Sequence, residues 1–295
     1  MSEHKTLVTG GTGQLASALA ARADVVRIGR PEFDFDRPDS IASVFQSVRP
    51  GLVINAAAYT AVDKAETDVD AAYRANRDGP ATLARLCADA DIPLIHISTD
   101  YVFDGLKSDP YVETDPVAPQ GVYGASKLAG EQAVLASGGR AVILRTAWVY
   151  AETGKNFVRT MLAVAKTRDR LTVVADQHGC PTVAGDLADG ILKIVSTIDR
   201  TGWQTAYHGI FHAAGSGETT WFGLAVATFE EAARHGARIP EVAPIKTADW
   251  PTPAKRPANS RLDCSRLQAV FGVRLPHWRE SLTRTVDQMY STAPP

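Results

Sequence analysis

The chain has 295 residues, of which 45% are hydrophobic and 22% are charged, a composition that can bury one large core or two modest ones. Its 31 basic and 33 acidic residues give a net charge of -2 and are mixed along the chain, so no nucleic-acid partner and no membrane partner is predicted. The three cysteines have neither an even count nor metal-ligand spacing, which argues against a disulfide framework and a structural zinc site. Residues 1–7 are polar, and no apolar stretch approaches the ~20 residues that span a bilayer, so we expect a cytoplasmic protein.

The first half of the chain alternates short apolar runs with segments of helical length. Strands are predicted at 6–9, 25–28, 52–55, 94–98 and 141–144, and helices at 14–23, 40–48, 71–90 and 126–136. Short continuous apolar runs suit strands that are buried on both faces of a parallel sheet, and the alternation with helices is typical of right-handed βαβ units. We therefore predict an α/β fold with a Rossmann-like, doubly wound parallel sheet, and an NAD(P)-binding domain over residues 1–150.

The pattern is looser after residue 150. Helices are predicted at 157–166, 185–196, 220–235 and 280–290, with Pro-rich stretches such as 240–257 between them. This pattern indicates a smaller C-terminal substrate-binding lobe over residues 151–295. Part of the segment 183–215, in particular 187–194 and 209–213, is expected to return to the main domain.

The first predicted strand leads into a glycine-rich turn and then a helix. Gly10 and Gly13 allow a tight turn in which backbone amides approach a pyrophosphate, and the third glycine position of such a turn is Ala16 here. The alternative is a turn that only connects two elements. Because a strand precedes the turn and a helix follows it, we predict dinucleotide binding. The predicted contacts here are Gly10, Gly13, Gln14 and Leu15.

The second predicted strand is followed by Gly29 and Arg30 instead of an acidic residue that would bind a ribose 2′-hydroxyl. Because an arginine favours a 2′-phosphate, NADPH is the predicted cofactor, with NADH possible. The alternative for Arg30 is a solvated loop charge. Asp34 and Phe35 lie farther on and are candidates for the border of the adenine site.

Tyr123 and Lys127 are four residues apart, and hence on one face of a helix. A free tyrosine titrates near ~10, and a cation ~4 Å away contributes ~1 to 4 kcal/mol, so we expect Lys127 to lower the pKa of Tyr123 towards neutrality. Tyr123 could then protonate a ketone oxygen as hydride arrives. The fourth strand ends at Ser98 and Thr99, where ligands of open α/β sheets bind, and Thr99 is the candidate that hydrogen-bonds the carbonyl. The alternative is an ordinary surface Tyr/Lys pair.

The glycine-rich turn, the strand-end hydroxyl and the Tyr-x-x-x-Lys pair, in this order, resemble the extended short-chain dehydrogenase/reductase superfamily. The resemblance implies a catalytic triad of Thr99, Tyr123 and Lys127, in which Lys127 also hydrogen-bonds the nicotinamide ribose. Ser98 remains the alternative hydroxyl. Further cofactor contacts implied by the matching stretch at 55–58 and the following helix are Ala56, Ala57, Ala58, Tyr59 and Asn76.

Longer stretches at 55–66, 98–105, 122–131, 145–150 and 250–262 resemble the dTDP-4-dehydrorhamnose reductase family over nearly the whole chain. The resemblance implies reduction of dTDP-4-dehydro-6-deoxy-L-mannose to dTDP-L-rhamnose. A nucleotide diphosphate needs cations and an aromatic surface, for which Arg256, Arg261 and either Trp148 or Trp250 are available. The alternative is that these arginines cap helices or pair with neighbouring acids. The remaining substrate contacts implied by resemblance are Val62, Thr99, Asp100, Phe103, Asn156 and Asn259.

The expected partner is thus a dTDP-sugar substrate, and the chain is expected to be a monomer or a homodimer. Some relatives are described as magnesium-assisted dimers, but this sequence has no carboxylate cluster that requires a metal, so no catalytic metal is predicted. Two other functions stay open. One is a nucleotide-sugar 4-epimerase or dehydratase of the same superfamily, and the other is a non-catalytic regulatory subunit like the methionine adenosyltransferase β subunit. The triad and the segment 256–261 favour an enzyme.

Overall fold

The computed structural model describes residues 5–291, and its main sheet contains six parallel strands. The strands of the molecule are β1 (Thr6–Thr9), β2 (Val26–Ile28), β3 (Leu52–Asn55), β4 (Leu94–Thr99), β5 (Ala141–Thr146), β6 (Val149–Tyr150), β7 (Arg170–Val174), β8 (His178–Gly179), β9 (Thr182–Val183), β10 (Gly209–His212), β11 (Thr219–Thr220), β12 (Glu241–Ile245) and β13 (Asn259–Ser260). The order across the main sheet is β10-β5-β4-β3-β1-β2. The predicted α/β class with a Rossmann-like parallel sheet is confirmed.

Helices cover both faces of this sheet. They are α1 (Gln14–Ala20), α2 (Pro38–Val48), α3 (Val62–Ala65), α4 (Val69–Tyr73), α5 (Gly79–Asp89), α6 (Val122–Ala136), α7 (Phe157–Ala165), α8 (Ala184–Thr201), α9 (Trp221–Ala233), α10 (Ser265–Phe271) and α11 (Trp278–Ser291). A π-helical segment, Arg74–Asp78, joins α4 to α5, so the helix predicted at 71–90 is interrupted by one wide turn. Helix α6 begins four residues before the predicted start at 126, which brings Tyr123 into its first turn.

Alternating strand side chains divide the core of the main domain into two layers. Val8, Ile54 and Val142 pack with α1, α8 and α10 on one face, whereas the neighbouring residues Leu7 and Val53 pack with α2, α5 and α6 on the other. Both layers are apolar because the strands are buried on both sides. Helix α8 contains the segment 187–194 and packs against α1, and β10 pairs with β5 at the edge of the sheet.

A second cluster of helices and short strands lies at the carboxyl ends of the main strands. Helices α7, α9 and α11 share a core that includes Val158, Leu224 and Leu282. The short sheets are β12-β7, β6-β9 and β11-β8-β13. None of the helices within residues 5–291 has the length and apolar character needed to cross a membrane.

The strand order determines where a ligand can bind. Strand β1 has β2 on one side and β3 on the other, so the chain reverses its direction across the sheet between β2 and β3. In open α/β sheets, a crevice forms at such a switch point outside the carboxyl ends of the strands. The turn that follows β1 and the loop that follows β3 therefore border the expected cofactor site.

Candidate active site

A cavity of about 1060 Å³ lies at the carboxyl ends of β1, β3 and β4. The predicted site residues that line it are Gly10, Gly13, Gln14, Leu15, Arg30, Phe35, Ala56, Ala57, Ala58, Tyr59, Val62, Thr99, Asp100, Tyr123, Lys127, Trp148 and Arg256. The predicted site residues outside its lining are Asp34, Asn76, Phe103, Asn156, Asn259 and Arg261. The cavity has room for two ligands of moderate size. The turn after β1 and Arg256 both line it.

The turn after β1 brings backbone from three loops together. Gly10 has a φ of +108°, and a Cβ there would lie 3.0 Å from the carbonyl oxygen of Ala56. A Cβ on Gly29 would lie 2.5 Å from the Cα of Gly11, which has a φ of +52°. Only glycine allows this approach at little cost. Helix α1 has no side-chain cap, so its first amides stay available for a pyrophosphate, and the turn fits a dinucleotide.

A buried polar chain holds the loop after β3. Thr9 Oγ1 donates to Asn55 Oδ1 over 2.6 Å, the backbone N–H of Ala57 donates to the same oxygen over 3.2 Å, and Asn55 Nδ2 lies 3.0 Å from His96 Nδ1. Burial lowers the pKa of His96 well below its ordinary value, and the Lys127 charge adds to this shift. His96 is therefore neutral, and its Nδ1 can accept the amide proton.

Asn76 acts on the same loop from outside the cavity. Its Oδ1 accepts the backbone N–H of Tyr59 over 2.8 Å, and its Nδ2 donates to the Tyr59 carbonyl and to Ser126 Oγ. Asn76 is fully buried in the π-helical segment, where the wide turn carries the side chain towards Tyr59. It fixes the position of a predicted cofactor contact.

Two arginines from β2 and the loop after it line the cavity. Arg30 pairs with Asp34 over 2.9 Å and with Asp36 over 2.7 Å, and its side chain is 64% exposed. Arg27 lies on β2 and donates to Ser17 Oγ over 3.0 Å. The charge of Arg30, the residue predicted to bind a 2′-phosphate, is therefore balanced by two carboxylates. Arg27 instead donates to a hydroxyl.

Thr99, Tyr123 and Lys127 all line the cavity. Thr99 ends β4 and donates from Oγ1 to Asp100 Oδ1 over 2.8 Å. Lys127 is buried and donates from Nζ to the Ile97 carbonyl over 2.5 Å. A hydrogen-bonding interaction joins Tyr123 to Thr99. The end of β4 and the first turns of α6 thus hold the three groups.

Burial dominates the ionisation of these groups. It raises the pKa of Tyr123 above its ordinary value, although the contact with Thr99 opposes the shift, and it lowers the pKa of Lys127 to about 8 against the opposing charge of Glu131. The expected lowering of the Tyr123 pKa by Lys127 is therefore wrong for this state of the site, since the ammonium is directed at the Ile97 carbonyl. Burial likewise raises the pKa of Asp100 to about 6. Tyr123 is protonated at neutral pH.

Arg256 connects the C-terminal part of the chain to the opposite cavity wall. Its Nη2 lies 2.8 Å from Asp63 Oδ2, and its Nη1 lies 3.4 Å from the Tyr101 hydroxyl. Arg261, outside the cavity lining, pairs with Glu218 over 2.9 Å and also donates to Asn259. The two predicted phosphate-binding arginines thus face different surroundings.

Trp148 forms an aromatic wall of the cavity. Its ring stacks on Trp221 with a centroid separation of 3.6 Å and an angle of 7°. The backbone φ of Trp148 is +48°, and a Cβ on Gly179 would lie 2.3 Å from its ring, so the indole occupies a closely fitted position. Trp250, the other candidate, is 58% exposed and lies outside the cavity lining.

The other predicted substrate contacts have structural partners. Phe103 is buried and stacks on Tyr111, while Asn259 Nδ2 donates to the carbonyls of Lys107 and Asp109. Asn156 accepts the N–H of Arg159 as the N-cap of α7, and it also donates to Gln14 Oε1 over 3.0 Å. These residues support the cavity from behind its surface.

The chain matches the family model for the RmlD substrate binding domain over residues 4–291. It is 46% identical over 283 residues to a dTDP-4-dehydrorhamnose reductase from Sinorhizobium fredii, with 95% of each chain covered. The chain belongs to the dTDP-4-dehydrorhamnose reductase family. Two crystal structures of such reductases are similar to it. The protein from Clostridium acetobutylicum has a TM-score of 0.89 and 37% identity, with 97% and 99% of the two chains covered.

The second structure is a dTDP-4-dehydrorhamnose reductase from Bacillus anthracis in complex with NADP. It has a TM-score of 0.90 and 33% identity, and the match covers 97% of this chain and 100% of the other. These comparisons confirm the family that the sequence motifs predicted. They concern the chain as a whole, and the roles of individual residues stay predictions.

Some residues that line the cavity of this family member were missed by sequence reasoning. Gly11 is the second residue after β1 and Gly29 is the first after β2, so their positions offered a signal. Trp221 and Thr146 offered none, because their place at the cavity depends on tertiary packing. The buried Thr146 Oγ1 has no hydrogen-bond partner among the described residues, which makes it a further candidate for ligand contact.

Proposed function

We propose that this protein reduces the 4-keto group of dTDP-4-dehydro-6-deoxy-L-mannose to give dTDP-L-rhamnose, with NADPH as cofactor and Tyr123 as proton donor. NADPH supplies the hydride when it is bound. The observation that carries the proposal is a cavity lined by the glycine-rich turn, by Thr99, Tyr123 and Lys127, and by Arg256. Family membership favours this reduction over the epimerase, dehydratase and regulatory-subunit alternatives.

The proton reaches the ketone oxygen from the Tyr123 hydroxyl. Tyr123 is partly buried at the cavity surface and is protonated, so it acts as a general acid. The hydroxyl proton of Thr99 turns from Asp100 to the ketone oxygen as negative charge develops there. The N–H of Tyr101 keeps its contact with the Thr99 oxygen, which supports that reorientation.

Lys127 holds the cofactor in this proposal. An ammonium has three N–H donors, and the Ile97 carbonyl takes one of them. The other two are available for the hydroxyls of the nicotinamide ribose.

The two ends of the cavity bind the non-reacting parts of the ligands. In our proposal, the turn at 10–14 holds the cofactor pyrophosphate, and Ala56, Ala57, Ala58 and Tyr59 line the nicotinamide half. Arg256 binds the diphosphate of the sugar nucleotide, for which it must exchange the Asp63 carboxylate for phosphate oxygens. Trp148 and Val62 border the nucleotide base or sugar. The assignments of Arg261 and Asn259 remain predictions with less support, because both lie outside the cavity lining.

One assay tests this function. The purified protein is incubated with NADPH and the dTDP-4-keto sugar, and the sugar nucleotide is analysed by mass spectrometry. We expect NADPH consumption only when the sugar is present, with a gain of two hydrogen atoms in the product. No NADPH loss and no mass gain would contradict the proposal, and a product isomeric with the substrate would indicate the epimerase alternative. We propose a cytoplasmic reaction, which agrees with the free state of Cys87, Cys180 and Cys264.

A further inference from the structure

A buried ion pair lies directly behind the reacting groups. Arg145 donates from Nη2 to Glu131 Oε2 over 2.7 Å and from Nε to Oε1 over 2.9 Å, and the two side chains are 2% and 1% exposed. Such a pair loses hydration from both charges, so its presence alone is a weak argument for stability. The remaining contact of Glu131 indicates another role, since Oε1 also accepts the Ser98 hydroxyl over 2.5 Å.

Glu131 and Lys127 hold consecutive residues of β4 against α6. They are four residues apart on one face of the helix. Lys127 donates to the Ile97 carbonyl, and Glu131 accepts from the next residue, Ser98. Thr99 follows immediately. The distance between the hydroxyl of Thr99 and the groups on α6 therefore depends on the contact between Ser98 and Glu131.

Arg145 keeps the Glu131 carboxylate in one orientation. It is the neighbour of Ser98 in the pairing of β4 with β5, so both partners of Glu131 come from adjacent strands. The Arg145 guanidinium also lies 5.0 Å from the centre of the Phe103 ring. Two parallel hydrogen bonds fix a carboxylate more firmly than a single contact does.

We propose that Glu131 is a positioning residue for the reaction proposed above. It fastens the carboxyl end of β4 to α6, so that the Ile97 carbonyl orients Lys127 and the Thr99 hydroxyl stays beside Tyr123 when ligands enter. The inference rests on the proposed function, in which Thr99, Tyr123 and Lys127 react with the substrate. The role of Glu131 is inferred from the contacts that Ser98, Glu131 and Arg145 make with one another.

Glu131 also acts on Lys127 through its charge. The groups that interact electrostatically with Lys127 are His96 on β4 and Glu131 on α6. Asp100 after β4 and Tyr123 on α6 line the same cavity, and Arg145 on β5 pairs with Glu131. His96 is neutral, and the Glu131 carboxylate raises the pKa of Lys127 against the effect of burial. Loss of that carboxylate therefore lowers the pKa of Lys127 below about 8.

The first test compares two serines in similar surroundings. Ser98→Ala removes the contact with Glu131 and leaves the ion pair intact. Ser281→Ala is the matched control, because the buried Ser281 hydroxyl donates to Asp186, which pairs with Arg284, away from the reacting groups. We expect Ser98→Ala to lower kcat about three- to tenfold and Ser281→Ala to leave kcat unchanged at a similar loss of Tm. Equal kcat values for both variants would overturn the proposal.

The second test uses a quantity that a purely structural residue would not change. In Glu131→Gln, we expect the titration midpoint of Lys127, followed by NMR in protein with ¹³C-labelled lysine, to fall by about one pH unit. The basic limb of kcat/KM should move to lower pH with it. If Glu131→Gln does not fold, the double variant Glu131→Met/Arg145→Met removes the pair without leaving a buried charge unpaired. Because Glu131, and not Arg145, acts on the Lys127 charge, the midpoint should move in the same direction.

An unchanged Lys127 midpoint in the variant that folds would overturn the positioning role. The NMR titration needs no substrate, so its result is independent of the proposed function. Absence of turnover in the wild-type protein would contradict the function, whereas an unchanged midpoint in an active enzyme would contradict only the role of Glu131.

Discussion

At the scale of single residues, the chemistry depends on how burial changes Tyr123 and Lys127. Spacing alone suggested that the ammonium would lower the pKa of the phenol, but burial raises the pKa of Tyr123 and lowers that of Lys127. The pKa of the phenol therefore lies farther above neutrality than in free tyrosine, and the pKa of the amine lies closer to neutrality than in free lysine. Tyr123 gives up its proton only when a more basic alkoxide forms beside it, which ties proton transfer to hydride delivery.

The first prediction concerns Tyr123 as proton donor. Tyr123→Phe keeps the ring and removes only the hydroxyl, so we expect kcat to fall about 10²- to 10⁴-fold while NADPH and dTDP still bind. Tyr101→Phe is the matched control, since its ring lies 5.5 Å from that of Tyr123 and its hydroxyl contacts Arg256. Steady-state kinetics and ligand titration provide the measurements. A Tyr123→Phe enzyme that retained more than about a tenth of wild-type turnover would point to another donor.

The second prediction concerns the cofactor 2′-phosphate. Arg30→Ala should raise KM for NADPH about ten- to a hundredfold and that for NADH much less, because one charge-assisted hydrogen bond is lost. Arg27→Ala is the informative comparison, since Asp34 and Asp36 already balance the charge of Arg30, whereas Arg27 contacts the Ser17 hydroxyl. The ratio of kcat/KM values for the two cofactors is measured in each variant. If both ratios equal that of the wild type, neither arginine recognises the phosphate.

At the scale of elements, the sequence was most informative where one pattern determined one structure. Continuous apolar runs predicted the buried strands, and the glycines after β1 predicted the turn at the cavity. The start of α6 and the π-helical turn at 74–78 had no comparable signal. The first depends on the close approach of Gly124 to the Tyr101 carbonyl, and the second accompanies the hydrogen bonds of buried Asn76 to Tyr59. Tertiary contacts of this kind override local propensity.

The third prediction tests the turn after β1. Gly10→Ala requires a side chain at a φ of +108° and brings its Cβ to 3.0 Å from the Ala56 carbonyl. Gly138→Ala is the matched control, because Gly138 also has a positive φ, +73°, but a Cβ there meets no atom within 4 Å. We expect both variants to lose stability, and only Gly10→Ala to lose NADPH affinity, by about tenfold or more. Thermal unfolding and cofactor titration separate the two effects. Equal NADPH affinity in both variants would show that the turn does not bind the cofactor.

At the scale of the whole molecule, the site is completed by residues that are distant in sequence. Asp63 in α3 meets Arg256 from the C-terminal part of the chain, and Trp148 stacks on Trp221. Motifs identified which residues to consider, but they could not separate Arg256 from Arg261. Only tertiary structure shows that Arg256 lines the cavity and that Arg261 is held by Glu218 outside its lining.

The last prediction follows from this difference between the two arginines. Arg256→Ala should weaken dTDP binding about ten- to a hundredfold, because the diphosphate loses a charge-assisted partner, and NADPH binding should stay nearly unchanged. Arg261→Ala should have a smaller effect on dTDP, since Arg261 is engaged with Glu218 and Asn259.

Asp63→Asn distinguishes ligand binding by Arg256 from a structural role. If the ion pair between Asp63 and Arg256 only stabilises the fold, loss of either partner should reduce dTDP affinity to a similar extent. If Arg256 binds the diphosphate, Asp63→Asn removes a carboxylate that competes with the ligand for Arg256 and also repels the ligand. The dTDP affinity should then be equal to that of the wild type or higher. Calorimetric titration of dTDP into each variant measures its dTDP affinity. A parallel loss in Asp63→Asn and Arg256→Ala would contradict the assignment of Arg256 to the substrate, because the two changes have opposite effects on the charge that the diphosphate meets.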